Sequence, residues 1–351
     1  MAVYEHAGGF GAKPGCIFCK DDRFVVTKRR HMILHFGRCA VCLCAAAAVL
    51  TGCGAMRQGE NALPIGLSGT PAQAAQSWMN PGATSQDLLY VSDTGTSKVY
   101  VYSYPSDKLA GTLTDFRDPG GECVDKSGNV FITNTGDDDI LEYAHGGTKP
   151  IATLSDPGYF PFGCSIDPTS GNLAVTNNFA SSGSGQGNVV VFAHAKGKPK
   201  GDYTDPNINQ MLLCGYDDKG NLFVDGLTKG SGFAFAELRH GSTTLTDIAL
   251  NQSIENPGGV QWDGKHVAVG DQSTNVVYQF DVSGKKGTKV GSTPLTGATE
   301  VVQFWIAGSK LIGPDAGAQD VGIWKYPAGG SALKTISGLY VPLGATLSKA
   351  R

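Results

Sequence analysis

Residues 118–134 read D-P-G-G-E-C-V-D-K-S-G-N-V-F-I-T-N. Two short runs rich in Val, Ile and Phe flank a Gly-Asn turn, the pattern of two antiparallel strands joined tightly. The same phrase returns as Y-F-P-F-G-C-S-I-D-P-T-S-G-N-L-A-V-T-N, ending at Asn177, and as M-L-L-C-G-Y-D-D-K-G-N-L-F-V-D, ending at Asp225. It returns again as N-P-G-G-V-Q-W-D-G-K-H-V-A-V-G-D, ending at Asp271, and in weaker form before Asp93 and Asp315. These end residues are spaced by 41, 43, 48, 46 and 44 positions. A β-patterned unit at that period predicts an all-β, six-bladed β-propeller of four-stranded blades.

The first repeat lacks the P-x-G strand that opens the others. Pro342-Leu343-Gly344-Ala345-Thr346-Leu347-Ser348 supplies one at the far end. An inner strand from the C-terminus joined to three from the start closes the ring and removes an open sheet edge. The propeller is therefore expected over residues 87–351. Each blade runs from an inner strand a, through b and c, to an outer strand d.

Composition agrees. The chain has 351 residues, with 49 Gly, 41% hydrophobic and 17% charged, which suits a turn-rich β protein and excludes a disordered one. A net charge of −3, with no cluster of Arg and interleaved aromatics, argues against nucleic acid as a partner. A monomer is expected.

Of the nine cysteines, six lie in the first 53 residues, and only Cys123, Cys164 and Cys214 lie among the repeats. Cys16 and Cys19 have C-x-x-C spacing, but no second pair follows at finger spacing. Residues 1–52 read instead as a leader, with Met1 or Met32 as its start. Lys28, Arg29, Arg30 and Arg38 precede an 11-residue apolar run over 40–50, right for an export signal and too short to span a bilayer. Leu50-Thr51-Gly52-Cys53 resembles the bacterial lipobox. That resemblance implies cleavage before Cys53, lipidation of its thiol, and a mature protein held at the cell envelope. Gly54 follows the Cys, which points to the outer membrane or cell surface. The Gly, Ala, Ser, Gln and Pro of residues 53–86 read as a flexible tether, with Trp78 and Met79 packing on the domain edge.

The G-N-V-F-I-T-N and G-N-L-A-V-T-N strings resemble NHL and YVTN-type repeats, in a fold shared with the gluconolactonase (senescence-marker) family. That family binds a divalent cation, such as Ca, at the channel mouth through a Glu, Asn residues and an Asp. The resemblance assigns those ligands to Glu122, Asn134, Asn177 and Asp271. A plainer reading is that Asp93, Asn134, Asn177, Asp271 and Asp315 cap strand ends by bonding backbone N–H groups.

Aligning the inner strands puts Glu122, Cys164, Cys214, Val260 and Ala345 at one ring position, which can face the central channel. There the two cysteines either pack as small apolar residues or act as soft ligands. In an oxidising compartment Cys164 and Cys214, on adjacent blades, can also bond to each other. Cys123 is one residue out of phase and belongs on the other strand face.

Nucleophile motifs are absent in useful form. Ser283-Gly284-Lys285-Lys286 matches S-x-x-K but lies in a c–d turn, and His145, His194 and His240 recur in equivalent turns as repeat ancestry would place them. Two functions follow. One is a surface-anchored lipoprotein propeller serving as a binding or scaffold module for a protein, peptide or carbohydrate. The alternative is a divalent-metal-dependent, lactonase-like hydrolase. In both, the ligand is expected on the face shared by d–a loops and b–c turns, near blades three and four, with Glu122 central and Arg117, Tyr159, Phe160 and Asn178 around it. The c–d turns carry Lys and the b–c turns Asp, so the two faces should differ in charge.

Overall fold

Strands with a side-chain period of two present alternate residues to opposite faces. In residues 130–134 this sends Val130 and Ile132 to one neighbouring blade and Phe131 to the other. Both faces are apolar because both are covered. The computed structural model, which describes residues 76–182 and 185–351, arranges such strands in six blades. The expected signal, Cys53 and most of the tether lie outside the described residues.

Blade two comprises Pro119–Val124, Val130–Asn134, Asp139–Tyr143 and Pro150–Ser155, hydrogen-bonded in chain order. Blade three comprises Tyr159–Ile166, Leu173–Ala180, Val189–Phe192 and Pro199–Tyr203, and blades four to six repeat the plan, with Ala249–Leu250 and Gly330–Ser331 added in parallel to the outer strand of blade five. Blade one is closed as expected: Pro342–Ser348 pairs antiparallel with Asp87–Asp93, Leu88 opposite Ser348. One addition was not anticipated. Trp78–Met79 forms a fifth strand on the outer edge of that blade, paired with Lys108–Leu113.

The core is a set of layers between blades. One cluster joins Tyr90 and Leu88 to Ile132 and Tyr143, the next joins Phe131 and Ile140 to Val175 and Phe192, and so on around the ring. A further cluster gathers Phe162, Leu212, Leu213, Val302 and Leu343 from inner strands and loops of several blades, filling the centre with apolar side chains. Crowding there explains the P-x-G motif. A Cβ on Gly121 would stand 2.8 Å from the Phe162 carbonyl oxygen, and one on Gly163 would stand 2.6 Å from that of Leu212. Only glycine lets adjacent inner strands approach so closely.

Candidate functional site

The T-N and S-D pairs that mark the repeats divide two tasks. The first residue of each pair latches the next blade. Thr133 Oγ1 donates to the Phe162 carbonyl at 3.0 Å, Thr176 Oγ1 donates to that of Leu212 at 2.6 Å, and Ser92 Oγ donates to that of Gly120. The second residue ties the blade's own d–a loop. Asp93 accepts from the Tyr340 and Val341 N–H groups, Asn134 from Arg117, Asp271 from Glu255 and Asn256, and Asp315 from Thr299 and Glu300. The capping account therefore holds at these four positions, and the same bonds put the d–a loops and b–c turns on one face.

Blade four departs from the pattern. Val224 lies opposite Cys214 as Ile132 lies opposite Glu122, so Asp225 occupies the latch position and Gly226 the capping one. Asp225, counted as the end of its repeat, thus stands one residue out of step with Asn134 and Asn177, which moves its side chain to the other strand face. Asp225 is fully buried, accepts one bond from the Leu213 N–H at 2.9 Å, and has Oδ2 unpartnered. Burial pushes its carboxyl well above the usual range.

Blade three also departs. Asn177 Nδ2 donates to Asp156 Oδ2 and to Asn188 Oδ1, each at 2.8 Å, and Asn188 Nδ2 donates to Asp202 Oδ1 at 2.8 Å. Asn177 Oδ1 is buried without a partner. Here the a–b pairing shifts register twice before Ala180 meets Tyr159, so no loop N–H arrives to be capped. Burial raises the Asp156 carboxyl to about 6, against the lowering effect of the Asn177 bond, with Asp202 and Asp138 adding repulsion. Next to it, Asp138 is held above its usual value by burial, although the Gly158 N–H and the Arg117 guanidinium oppose the shift. Arg117 itself pairs with Asp137 at 3.0 Å in the open. Tyr159 is half-buried beside Asp156 and Asp202, and burial raises its hydroxyl pKa.

The result is an acidic surface with aromatic side chains over blades two and three. It includes Arg117, Tyr159, Phe160 and Asn178 of the expected set, with Phe160 and Asn178 half-buried. It lies one blade earlier in the ring than expected. It suits hydrogen-bond donors and cations more than anions.

Glu122 does not belong to this surface. It is wholly buried, and its strand face turns toward blade one, where Tyr90 feels its charge and the Thr346 N–H lies beside it. Burial pushes its carboxyl well above the usual range, opposed only by the nearby Thr346 N–H, and neither oxygen makes a well-formed hydrogen bond. The aligned ring position was read in correct register but assigned the wrong neighbour. Side chains stand perpendicular to a sheet, and the sheets here pack face to face, so that position faces the preceding blade rather than the channel. Asn134 and Asp271 are occupied by their own loops, and among the described residues no group of three or more His, Cys, Asp or Glu is arranged to hold a metal ion.

The same geometry pairs the cysteines. Cys123 and Cys164 meet between blades two and three in a disulfide, their Cα atoms 5.7 Å apart, while Cys214 stays a buried free thiol. The bond expected between Cys164 and Cys214 does not form, because both occupy the position that faces back; Cys123, one residue out of phase, faces forward onto Cys164.

A Ser–His pair exists on the opposite face, with His145 Nδ1 2.7 Å from Ser348 Oγ. Ser348 is wholly buried and also donates to the Gly128 carbonyl at 2.7 Å, so it ties blades rather than offering a nucleophile. Asp156 and Asp202 escaped sequence reading because each lies on or beside an outer strand, with no motif of its own. That same opposite face holds two clefts, one of about 270 Å³ lined in part by Lys219, Trp262 and Lys265, the other of about 290 Å³ lined in part by Lys126 and Trp305.

No family model matches the chain, and neither does any curated protein. Solved structures do. A chain in the crystal structure of a nidogen/laminin complex is similar with a TM-score of 0.62 at 13% identity, over 76% of this chain and 99% of that one. A protein of unknown function from Bacteroides caccae is similar with a TM-score of 0.57 at 12% identity, over 75% of this chain and 99% of that one. At such identity the likeness shows the fold alone, and that fold is the β-propeller.

Proposed function

We propose that this protein is an exported, lipid-anchored propeller that binds a protein, peptide or carbohydrate ligand on its d–a face and performs no chemistry of its own. The observation that carries the binding reading is the surface over blades two and three. It sets Tyr159, Phe160 and Asn178 among Asp138, Asp156 and Asp202, on strands stapled by Cys123–Cys164 and latched by Thr133. Aromatic faces beside hydrogen-bonding groups on a rigid frame suit a peptide or sugar. The acidic character favours a ligand carrying basic groups.

Export is supported by two independent features. Disulfides persist in oxidising compartments outside the cytosol, and the Cys123–Cys164 bond is inside the propeller rather than in the leader. The lipobox-like Leu50-Thr51-Gly52-Cys53 supplies the anchor. The lactonase-like alternative has less support, because it needs Glu122 at the channel mouth.

The anchor is tested by expressing the whole chain and its Cys53→Ser variant, then washing membranes at about 1 M salt, where the screening length falls to roughly 3 Å. The unsubstituted chain should stay with the membranes and incorporate labelled fatty acid, and the variant should wash off unlabelled. Retention or labelling of the variant would overturn the anchor.

A further inference from the structure

Of the Lys and Arg side chains in the described residues, only Lys98, Arg117 and Lys229 stand at the b–c turns and d–a loops. All the others lie at the opposite end of the blades, in or next to a–b and c–d turns. They are spread around the ring. Lys108, Lys149, Lys198, Lys219, Lys285 and Lys325 are exposed representatives of blades one to six.

Acidic groups on this face are largely drawn into their own turns. Asp125 accepts from the Ser127 and Asn129 N–H groups, Asp217 from Lys219 and Asn221, and Asp263 from Lys265 and His266. Asp107 is paired with Lys334, and Glu237 with Arg239. Asp218 and Asp281 also stand exposed here, but lysine ammonium groups outnumber them around the ring, while the far face presents carboxylates.

We propose that this lysine-tipped face lies against an anionic lipid bilayer. Charge at turn tips on all six blades matches a plane of many anions, whereas a single anionic chain needs a continuous track. Lysine is a point charge on a flexible stem, suited to mobile headgroups. Bidentate recognition of one phosphate or carboxylate would call for arginine, which is scarce here. Choosing a bilayer over another anionic plane rests on the anchored reading above. The anchor supplies proximity and the lysines supply orientation, since attraction to anionic headgroups acts only close to the membrane surface. The acidic, aromatic face is then turned away from the membrane, toward the ligand.

The test uses the full chain carrying Cys53→Ser, so that no acyl chain contributes. Vesicles of phosphatidylcholine alone are compared with vesicles containing phosphatidylglycerol, by co-sedimentation at low and high salt. Binding is expected only with phosphatidylglycerol, and it should be lost at high salt. Lys149→Glu, Lys198→Glu and Lys285→Glu combined should weaken it at least about tenfold, with an unchanged thermal midpoint. Lys98→Glu with Lys229→Glu should leave it unaltered. Absence of phosphatidylglycerol-dependent binding, equal loss in both variants, or capture by an acidic polysaccharide resin without vesicle binding would each overturn the proposal. Because the variant lacks Cys53, these outcomes are independent of the fatty-acid labelling that tests the anchor.

Discussion

Blades two and three carry the same three letters, V/I-T-N, on the same strand, and use the last of them differently. In blade two Asn134 accepts the Arg117 N–H at 2.6 Å and donates to Asp137 and Asp139, both near the surface. In blade three Asn177 accepts nothing and instead serves as the donor to Asp156, which is 3% exposed. The Thr in front of each does the same work in both, because its partner is the neighbouring inner strand and the ring geometry repeats. The Asn partner is a loop, and loops vary. A repeat motif is thus reliable for the bond that crosses to the next blade and unreliable for the bond that stays within its own.

The largest expected effect concerns the staple that joins these two blades. Closing a loop between residues 41 apart removes about 4 kcal/mol of denatured-state entropy in the chain-entropy model. Cys123→Ser with Cys164→Ser should lower the denaturant midpoint accordingly, and a reducing agent should do the same to the unsubstituted protein. If neither changes the midpoint, latches such as Thr133 hold the interface alone.

A smaller effect separates the two asparagines by pH. Asp156 titrates at about 6 in the fold against 3.8 unfolded, so the folded state disfavours its charged form. Its favourable contribution is complete below about pH 4 and is lost as pH rises through 6. The loss is at most about 3 kcal/mol, because each tenfold change in proton affinity between the two states is worth about 1.4 kcal/mol. Asp156→Asn should abolish that decline. Asn177→Ala removes the donor that holds the value down, and should move the decline to higher pH. Asn134→Ala should cost about 1–3 kcal/mol, because it orphans a loop N–H. Since it also removes the donor to the half-exposed Asp139, its added slope should be smaller than that of Asn177→Ala at the buried Asp156. Parallel pH profiles for the two Ala variants would erase the distinction between the blades.

The smallest change in stability is expected at the proposed binding surface. Tyr159→Ala and Phe160→Ala remove half-buried rings at the start of a strand. Each should weaken ligand capture at least about tenfold while shifting the thermal midpoint little, as interface aromatics commonly do. A large drop in midpoint would make them packing residues of blade three, and the surface would lose its claim to a ligand.

Much of the architecture was legible in advance because it depends on period and spacing. Six copies of one phrase set the blade count, and Pro342–Ser348 was recognisable as the missing inner strand from its P-x-G spacing alone. The segregation of Lys from Asp between turn sets was equally readable, since turns at opposite strand ends must lie on opposite faces. The site was less so. Arg117, Tyr159, Phe160 and Asn178 could be named as candidates because aromatic and polar residues in a loop stand out. Asp156 and Asp202 were missed because their neighbours are supplied by another strand.

By itself, then, the sequence determined everything that follows from alternation along one strand: which residues share a face, where turns fall, and how many units there are. Alternation offers two faces and does not say what lies across each. Ring closure decided that. It turned Glu122 toward Tyr90 instead of toward a channel, placed Cys123 opposite Cys164 while leaving Cys214 alone, and put Asp225 in the latch position. The reason is that a blade has a covered neighbour on both sides, so the identity of that neighbour is a property of the closed ring.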